Sequence, residues 1–365
     1  MDPTGPIARR FPLIARHRPA CRPLPERVTA LTELADSAAK EANSGRASAV
    51  FNQAALLASD LGLPEIAAAM CHQHAAAYLL ACPLPATSAI RALEPVVNLA
   101  RLRIRSGHAD EGRHRLTALY DAVRTTTSTQ FDDVMIPAHL TATPADRNEV
   151  HAWLWRVLLA DGTRTLTTQG RWNEALAHLA THHGIGNRML DGRQVAVLTA
   201  LVEGDSTRAE HLLSATESGE AWERTVTACL SALHRREVGD LTCQVQFDLA
   251  ENCVTLASGP GTTVFRTRLA LTALDLVHDN RHAARQITEH LYLCASEPGD
   301  GYAAREALAH PGFREHATAE QQQECRGVVD ACALEAGETP APLLDRLSGA
   351  LVTSEYVIRQ TEGGR

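Results

Sequence analysis

The sequence predicts an all-α protein, a right-handed stack of antiparallel helix pairs. Three observations predict it. Aromatic residues make up only 4% of the chain, and alanine and leucine carry most of its apolar content. That composition suits helices and lacks the β-branched and aromatic enrichment of sheets. From about residue 27 onward, apolar residues recur at helical spacing. In mid-chain, a glycine followed by a small residue recurs after 34 residues, at Gly170 and again at Gly204, which marks a repeated supersecondary unit.

Residues 1–26 are rich in proline and arginine and lack periodicity, so they are expected to form a flexible arm, or an extended one that docks elsewhere. A helical array is expected over 27–295 and a C-terminal helical region with a frayed end over 296–365. In ERVTALTELADSAAKEANSG, Val28, Leu31, Leu34, Ala35 and Ala38 fall on one face, and Gly45 offers a left-handed cap. CPLPATS, residues 82–88, reads as a proline turn, and 125–148 as a long polar connector. The connector ends in Thr143-Pro144 with Asp146, a helix start with proline at its first position. LASGPGTTV, around residue 260, is the clearest candidate hinge. TCQVQFDL, residues 242–249, alternates only briefly, so no substantial sheet is expected.

The small-residue pattern can be followed further. Asn98-Leu99-Ala100, Gly107 and Glu111-Gly112 occupy the places of a small residue, a turn glycine and a second small residue. Gly170 is followed by Glu174-Ala175 and Leu179, and Gly204 by Ala209 and Leu213. Fainter copies lie at Gly62 with Ala67 and at Asp279 with Ala284. Over about 45–295 the chain resembles the tetratricopeptide (TPR) family in a degenerate form, its copies not contiguous and its aromatic positions mostly leucine, valine or alanine. The resemblance implies a TPR-like α-solenoid in which the first helix of each pair lines a concave surface.

The net charge of −8 and pI near 6.1 exclude the strong basic excess of a general nucleic-acid binder. Lys40 is the single lysine, so the positive charge is arginine, whose fork suits carboxylate or phosphate. Nine cysteines, an odd number without a CxxC pair, fit neither a disulfide framework nor a zinc ribbon. The N-terminal arginines Arg9, Arg10, Arg16 and Arg18 precede no apolar run of the signal-peptide kind, and no stretch reaches membrane-helix length. A cytoplasmic protein without membrane association is expected. GPGTT, at 259–263, lacks the spacing of a phosphate loop, and neither HExxH nor GxSxG occurs.

Two histidine groups invite a metal reading. Cys71, His72 and His74 do not converge on one ion from a helix, and His178, His182 and His183 need a further ligand such as Asp191. Neither metal nor cofactor is expected. Residues 182–194, HHGIGNRMLDGRQ, join two helices yet carry His183, Asn187, Arg188, Asp191, Arg193 and Gln194. That density suits a patch for an anion or partner, or ties between repeats with Asp191 as a helix cap. A second feature is the ladder Glu94, Asn98, Arg101 and Arg105 on one helical stripe, with Trp153, Arg156 and Arg164 on a later stripe and Asn52 at a matching place earlier.

The expected function is capture of a peptide or protein partner, regulatory in kind, on a concave surface lined by Asn52, Asn98, Arg101, Arg105, Trp153, Arg156 and Arg164, with Asn187, Arg188 and Arg193 as further contacts. The N-terminal arm is a candidate occupant of that surface when no partner is bound. The alternative is an enzyme on the same helices. The chain is similar, without a quotable motif, to proteins of actinobacterial biosynthetic clusters, which implies aminoacyl transfer from a charged tRNA, with His183 as base and Asp191 as its orienter. The charge of −8 counts against a tRNA partner. A scaffold or homodimer is the third expectation.

Overall fold

The computed structural model describes residues 1–13 and 17–364; Arg16, among the N-terminal arginines, lies outside the described residues. Among the described residues, the protein is all-α apart from one short hairpin. In chain order the helices begin with α1 (Pro6–Arg10), α2 (Leu24–Lys40), α3 (Ser44–Asp60), α4 (Pro64–Leu79), α5 (Ala86–Arg105) and α6 (Ala109–Thr125). Strands β1 (Thr129–Phe131) and β2 (Val134–Ile136) follow, then α7 (Pro144–Val157), a π-helical turn (Leu158–Gly162) and α8 (Thr163–Thr168). Next come α9 (Trp172–Thr181), α10 (Asp191–Glu203), α11 (Ser206–Ser214), α12 (Ala221–Glu237) and α13 (Cys243–Thr255). The chain continues through α14 (Thr263–Val277), α15 (Arg281–Ser296), α16 (Gly301–Ala309), α17 (Pro311–His316), α18 (Ala319–Ala331) and α19 (Ala341–Gly363).

The chain divides into two compact units, neither continuous in sequence. One comprises Leu24–Thr165 and Ala333–Arg365, the other Met1–Pro23 and Leu166–Cys332. The LASGPGTTV loop lies within the latter unit and not at a division between units.

In the 24–165 unit each helix packs on its successor from α2 to α7, and α3, α5 and α7 lie side by side. Helix α19 comes back across α2, α3 and α4. Phe51, Leu57, Tyr78, Leu93, Leu116 and Leu119 are fully buried in this core. The close approach of α5 to α6 depends on Gly112, where a Cβ would stand 2.7 Å from the Ala100 carbonyl oxygen. Gly45 does not cap α2. Ala42 takes the left-handed conformation (φ 49°), Asn43 caps α3, and Gly45 sits in the first turn of α3 against the Arg91 guanidinium. The 125–148 connector contains the β1–β2 hairpin, because Phe131, Val134 and Ile136 are buried and need a ladder for their backbone. Helix α7 starts where Thr143-Pro144 predicts, and Thr143 and Asp146 form a capping box.

In the other unit, α10, α12, α14 and α16 lie side by side, with α13, α15 and α18 adjacent to one another behind them. Gly170 and Gly204 take positive φ (76° each) at the turns into α9 and α11, and Ala175 and Ala209 five residues on are fully buried. TCQVQFDL is helical, part of α13, whose buried residues Gln246, Leu249, Ala250 and Cys253 fall at helical spacing. Residues 1–13 and 17–23 lie against α9, α10, α12, α14 and α16 of this unit, so the arm docks here. Among the described residues, no helix is long and apolar enough to cross a membrane.

Candidate functional site

The stripe read from α5 meets a matching polar row on α3, and together they make one half-buried strip in the 24–165 unit. Ser44, Ser48 and Asn52 recur every four residues on α3, so they share the face turned to α5. Arg91 Nη1 donates to Ser44 Oγ at 3.3 Å, and Asn52 Nδ2 donates to Glu94 Oε2 at 2.6 Å. Asn98 Nδ2 donates to Asn52 Oδ1 at 3.1 Å, and Arg101 Nη1 to Asn98 Oδ1 at 3.0 Å. Arg105 Nη1 donates to Ser59 Oγ at 2.7 Å.

Arg101 also grips Asp161 of the π-helical turn, its Nε at 3.0 Å and its Nη2 at 2.8 Å from Oδ2. Two turns separate Glu94 from Arg101 on α5, and the arginine takes Asp161 as its ionic partner. A π turn widens a helix by one residue and commonly accompanies a site; here it falls between Arg156 on α7 and Arg164 on α8. The stripe of Trp153, Arg156 and Arg164 is therefore split. Trp153 packs against the hydrophobic core, Arg156 is exposed with no hydrogen bond or ion pair among the described residues, and Arg164 is half-buried.

At the base of the strip, Ser48 Oγ lies 2.9 Å from His74 Nε2, and the imidazole stacks on Phe51 with ring centroids 5.0 Å apart. Burial pulls the His74 pKa down to about 3. Burial also raises the Glu94 carboxyl, against the bond from Asn52, the charge of Arg91 and the bond from Ser48. A serine, a histidine and a glutamate thus meet, but Ser48 and His74 are closed to solvent, and this histidine is a poor proton acceptor. The trio closes the bottom of the strip.

Among the described residues, several donors of the strip make no bond. A carboxamide has two N–H groups, and Asn52 and Asn98 each spend one. A guanidinium has five, of which Arg101 spends three. What remains on three adjacent side chains is a row of N–H groups with no protein partner. Such a row can donate to carbonyl and carboxylate oxygens.

The 182–194 segment is spent internally. Arg188 reaches the buried Glu223 carboxylate, whose pKa burial raises but whose bonds from Arg188 and the Glu220 backbone bring below its ordinary value. Asn187 bonds Glu217 through side chain and backbone, at 3.2 and 3.0 Å. Arg193 Nη2 donates to the Leu212 carbonyl at 2.7 Å, and Gln194 Nε2 to that of Met189 at 2.9 Å. These ties join neighbouring helices. His183 stands in a left-handed conformation (φ 53°) with its backbone nitrogen donating to the Ala180 carbonyl at 3.1 Å, and among the described residues no side-chain bond joins it to Asp191 at the start of α10. On α15, Cys294 Sγ and His290 Nε2 approach to 3.4 Å, but burial raises the thiol and lowers the imidazole to about 4, leaving both neutral. Among the described residues, no group of three or more His, Cys, Asp and Glu side chains is placed to hold a metal.

The reading of α5 alone did not find Ser44, Ser48, His74 or Asp161. The four-residue recurrence of Ser44, Ser48 and Asn52 on α3 is the available signal; Asp161 carries none, because only the fold brings it to Arg101. No family model, curated protein or solved structure matches this chain.

Proposed function

We propose that the protein is a TPR-like binding module that captures a peptide or protein partner on the α3–α5 strip. The observation that carries the reading is the unspent donor row of Asn52, Asn98 and Arg101 on a half-exposed surface, with the unpartnered Arg156 on α7. Carboxamides bond main-chain carbonyls whatever the side chain, and guanidinium forks bond carboxylates. An extended peptide bearing acidic side chains satisfies both. The turn glycines and buried alanines of the helix pairs support the TPR-like description.

The test is fluorescence anisotropy of two labelled 12-residue peptides with the full chain, one alternating alanine and aspartate, the other alanine and lysine. The acidic peptide binds and the basic one does not. Arg101→Ala weakens acidic-peptide binding about tenfold to a hundredfold, the worth of a charge-assisted bond of ~1.5–3 kcal/mol. Because Arg101 is partly exposed, the same change costs at most about 1 kcal/mol of stability. Equal binding of both peptides, or an Arg101→Ala variant that binds unchanged, refutes the reading.

A further inference from the structure

The unit formed by Met1–Pro23 and Leu166–Cys332 carries a surface of opposite chemistry, already filled by the chain itself. Trp172 Nε1 donates to the Pro3 carbonyl at 3.0 Å, a main-chain bond indifferent to the side chain it holds. Beside it, a Cβ at Gly170 would stand 2.8 Å from Thr4 and 3.0 Å from the Pro3 oxygen, so the turn is shaped to the backbone lying on it. Further along, the Arg10 guanidinium pairs with Asp275 on α14 and reaches the Leu271 carbonyl at 3.5 Å. Asp275 is braced from the other side by His310 Nε2 at 3.1 Å. Phe11 and Leu13 are 3% and 1% exposed, and Ile7 and Ala8 are buried with them.

Residues 1–13 pair with no strand and contain only the five-residue α1. Besides the bonds of α1 itself, Thr4 bonds Asp2, and the backbone nitrogens of Gly5, Arg9 and Phe11 bond preceding carbonyls. The segment can therefore leave without parting any pair among α9 to α18. What it would leave behind is specific: an indole donor, an apolar trough, and a half-buried carboxylate whose other partner among the described residues is a histidine. An empty trough of this kind demands a cation flanked by apolar side chains.

We propose that the face of α10, α12 and α14, with Trp172 at its edge, is a docking groove for an extended, arginine-bearing segment of a partner protein, which residues 1–13 occupy in the partner's place. This groove is distinct from the α3–α5 strip, and its chemistry is inverse: it offers a carboxylate where the strip offers N–H donors. The ligand class is an apolar residue followed within three or four positions by arginine and an aromatic, as Ile7, Arg10 and Phe11 are in this chain.

The experiment is anisotropy of a synthetic peptide of residues 1–13, labelled at its C-terminal end, with the full chain. The covalent segment competes at a high effective concentration, so wild type binds the peptide weakly. The Arg10→Ala/Phe11→Ala chain, checked for helicity by circular dichroism, binds the wild-type peptide at least about tenfold more tightly. Adding Asp275→Asn to that chain, or replacing Arg10 of the peptide by alanine, abolishes the gain. A folded double variant that binds no more tightly than wild type overturns the proposal. Should the double variant not fold, amide exchange of wild type decides. Residues 7–13 exchanging as a unit faster than α14 uphold the groove; exchange only with global unfolding overturns it. The acidic-peptide test reads the other unit, so each can fail alone. A wild-type chain that dimerises through this face makes a second copy the donor and overturns the choice of partner.

Discussion

Gly192→Ala separates two roles for the 182–194 segment. A Cβ at position 192, in the first turn of α10, would stand 2.1 Å from the Gly184 carbonyl oxygen and 2.9 Å from the Gly184 carbon and Ile185 Cα. All three atoms are backbone, so no side chain can swing aside. The main chain after α9 has to retreat by more than an ångström to reach ordinary contact, and it carries the 2.7 Å bond from the Gly184 nitrogen to the Leu179 carbonyl that closes α9. Overpacking of this kind costs about 1–3 kcal/mol, a weakened helix end adds about 1 kcal/mol, and alanine gives back up to about 1 kcal/mol of helix propensity. The net loss is about 2 kcal/mol. In a unit of roughly 190 residues this lowers its Tm by about 4–8 °C. Urea unfolding followed through Trp172 and Trp222, both in that unit, measures the change in midpoint at unchanged slope. The control is Gly327→Ala, within α18, where an added Cβ meets nothing within 4 Å and gains about 0.5–1 kcal/mol. A Gly192→Ala loss under about 0.5 kcal/mol, or a gain like that of the control, would refute the packing of this segment against α10 and return its polar residues to solvent-facing roles.

Acid should weaken the fold through its buried histidines. His74 and His290 titrate near 3 and 4 when folded, below an unfolded value of about 6.5, so the unfolded chain takes up protons that the folded one refuses. Stability is fully present above pH 6.5 and falls by about 1.4 kcal/mol per pH unit for each histidine on going down toward pH 4. His74→Gln, which keeps a hydrogen-bonding group without the titration, makes that slope shallower in urea midpoints measured between pH 6 and pH 4.5; an unchanged slope excludes His74 as a source. Thiol labelling tests the core of both units. Cys243 is the exposed cysteine, Cys82 is half-covered and the others are buried, so a thiol reagent modifies Cys243 first, Cys82 more slowly, and the rest only on unfolding. Rapid modification of Cys229 or Cys253 in the native protein would contradict their complete burial.

The sequence by itself determined the helices and many of their joints. Gly170 and Gly204 with Ala175 and Ala209 are local signals, because a turn needs a left-handed residue and a tight helix pair needs a small one within the same few residues. The Thr143-Pro144-Asp146 start of α7 is equally local. The ladder of Asn98, Arg101 and Arg105 was legible for the same reason, since spacings of three and four put side chains on one face whatever that face meets. Only the tertiary structure decided what those side chains touch. Asp161 reaches Arg101 across a π turn that no periodicity announces, and Glu223 takes up Arg188 from 35 residues away. The hairpin hidden in a polar connector and the helix in TCQVQFDL follow from which of their residues found a core to enter. The discontinuous units show the same limit. Residues 1–13 pack against α14, and α19 against α2 and α3, because their apolar faces are buried there. Helical periodicity records that a face is apolar. Which distant surface covers it is fixed by shape and area over the whole folded chain.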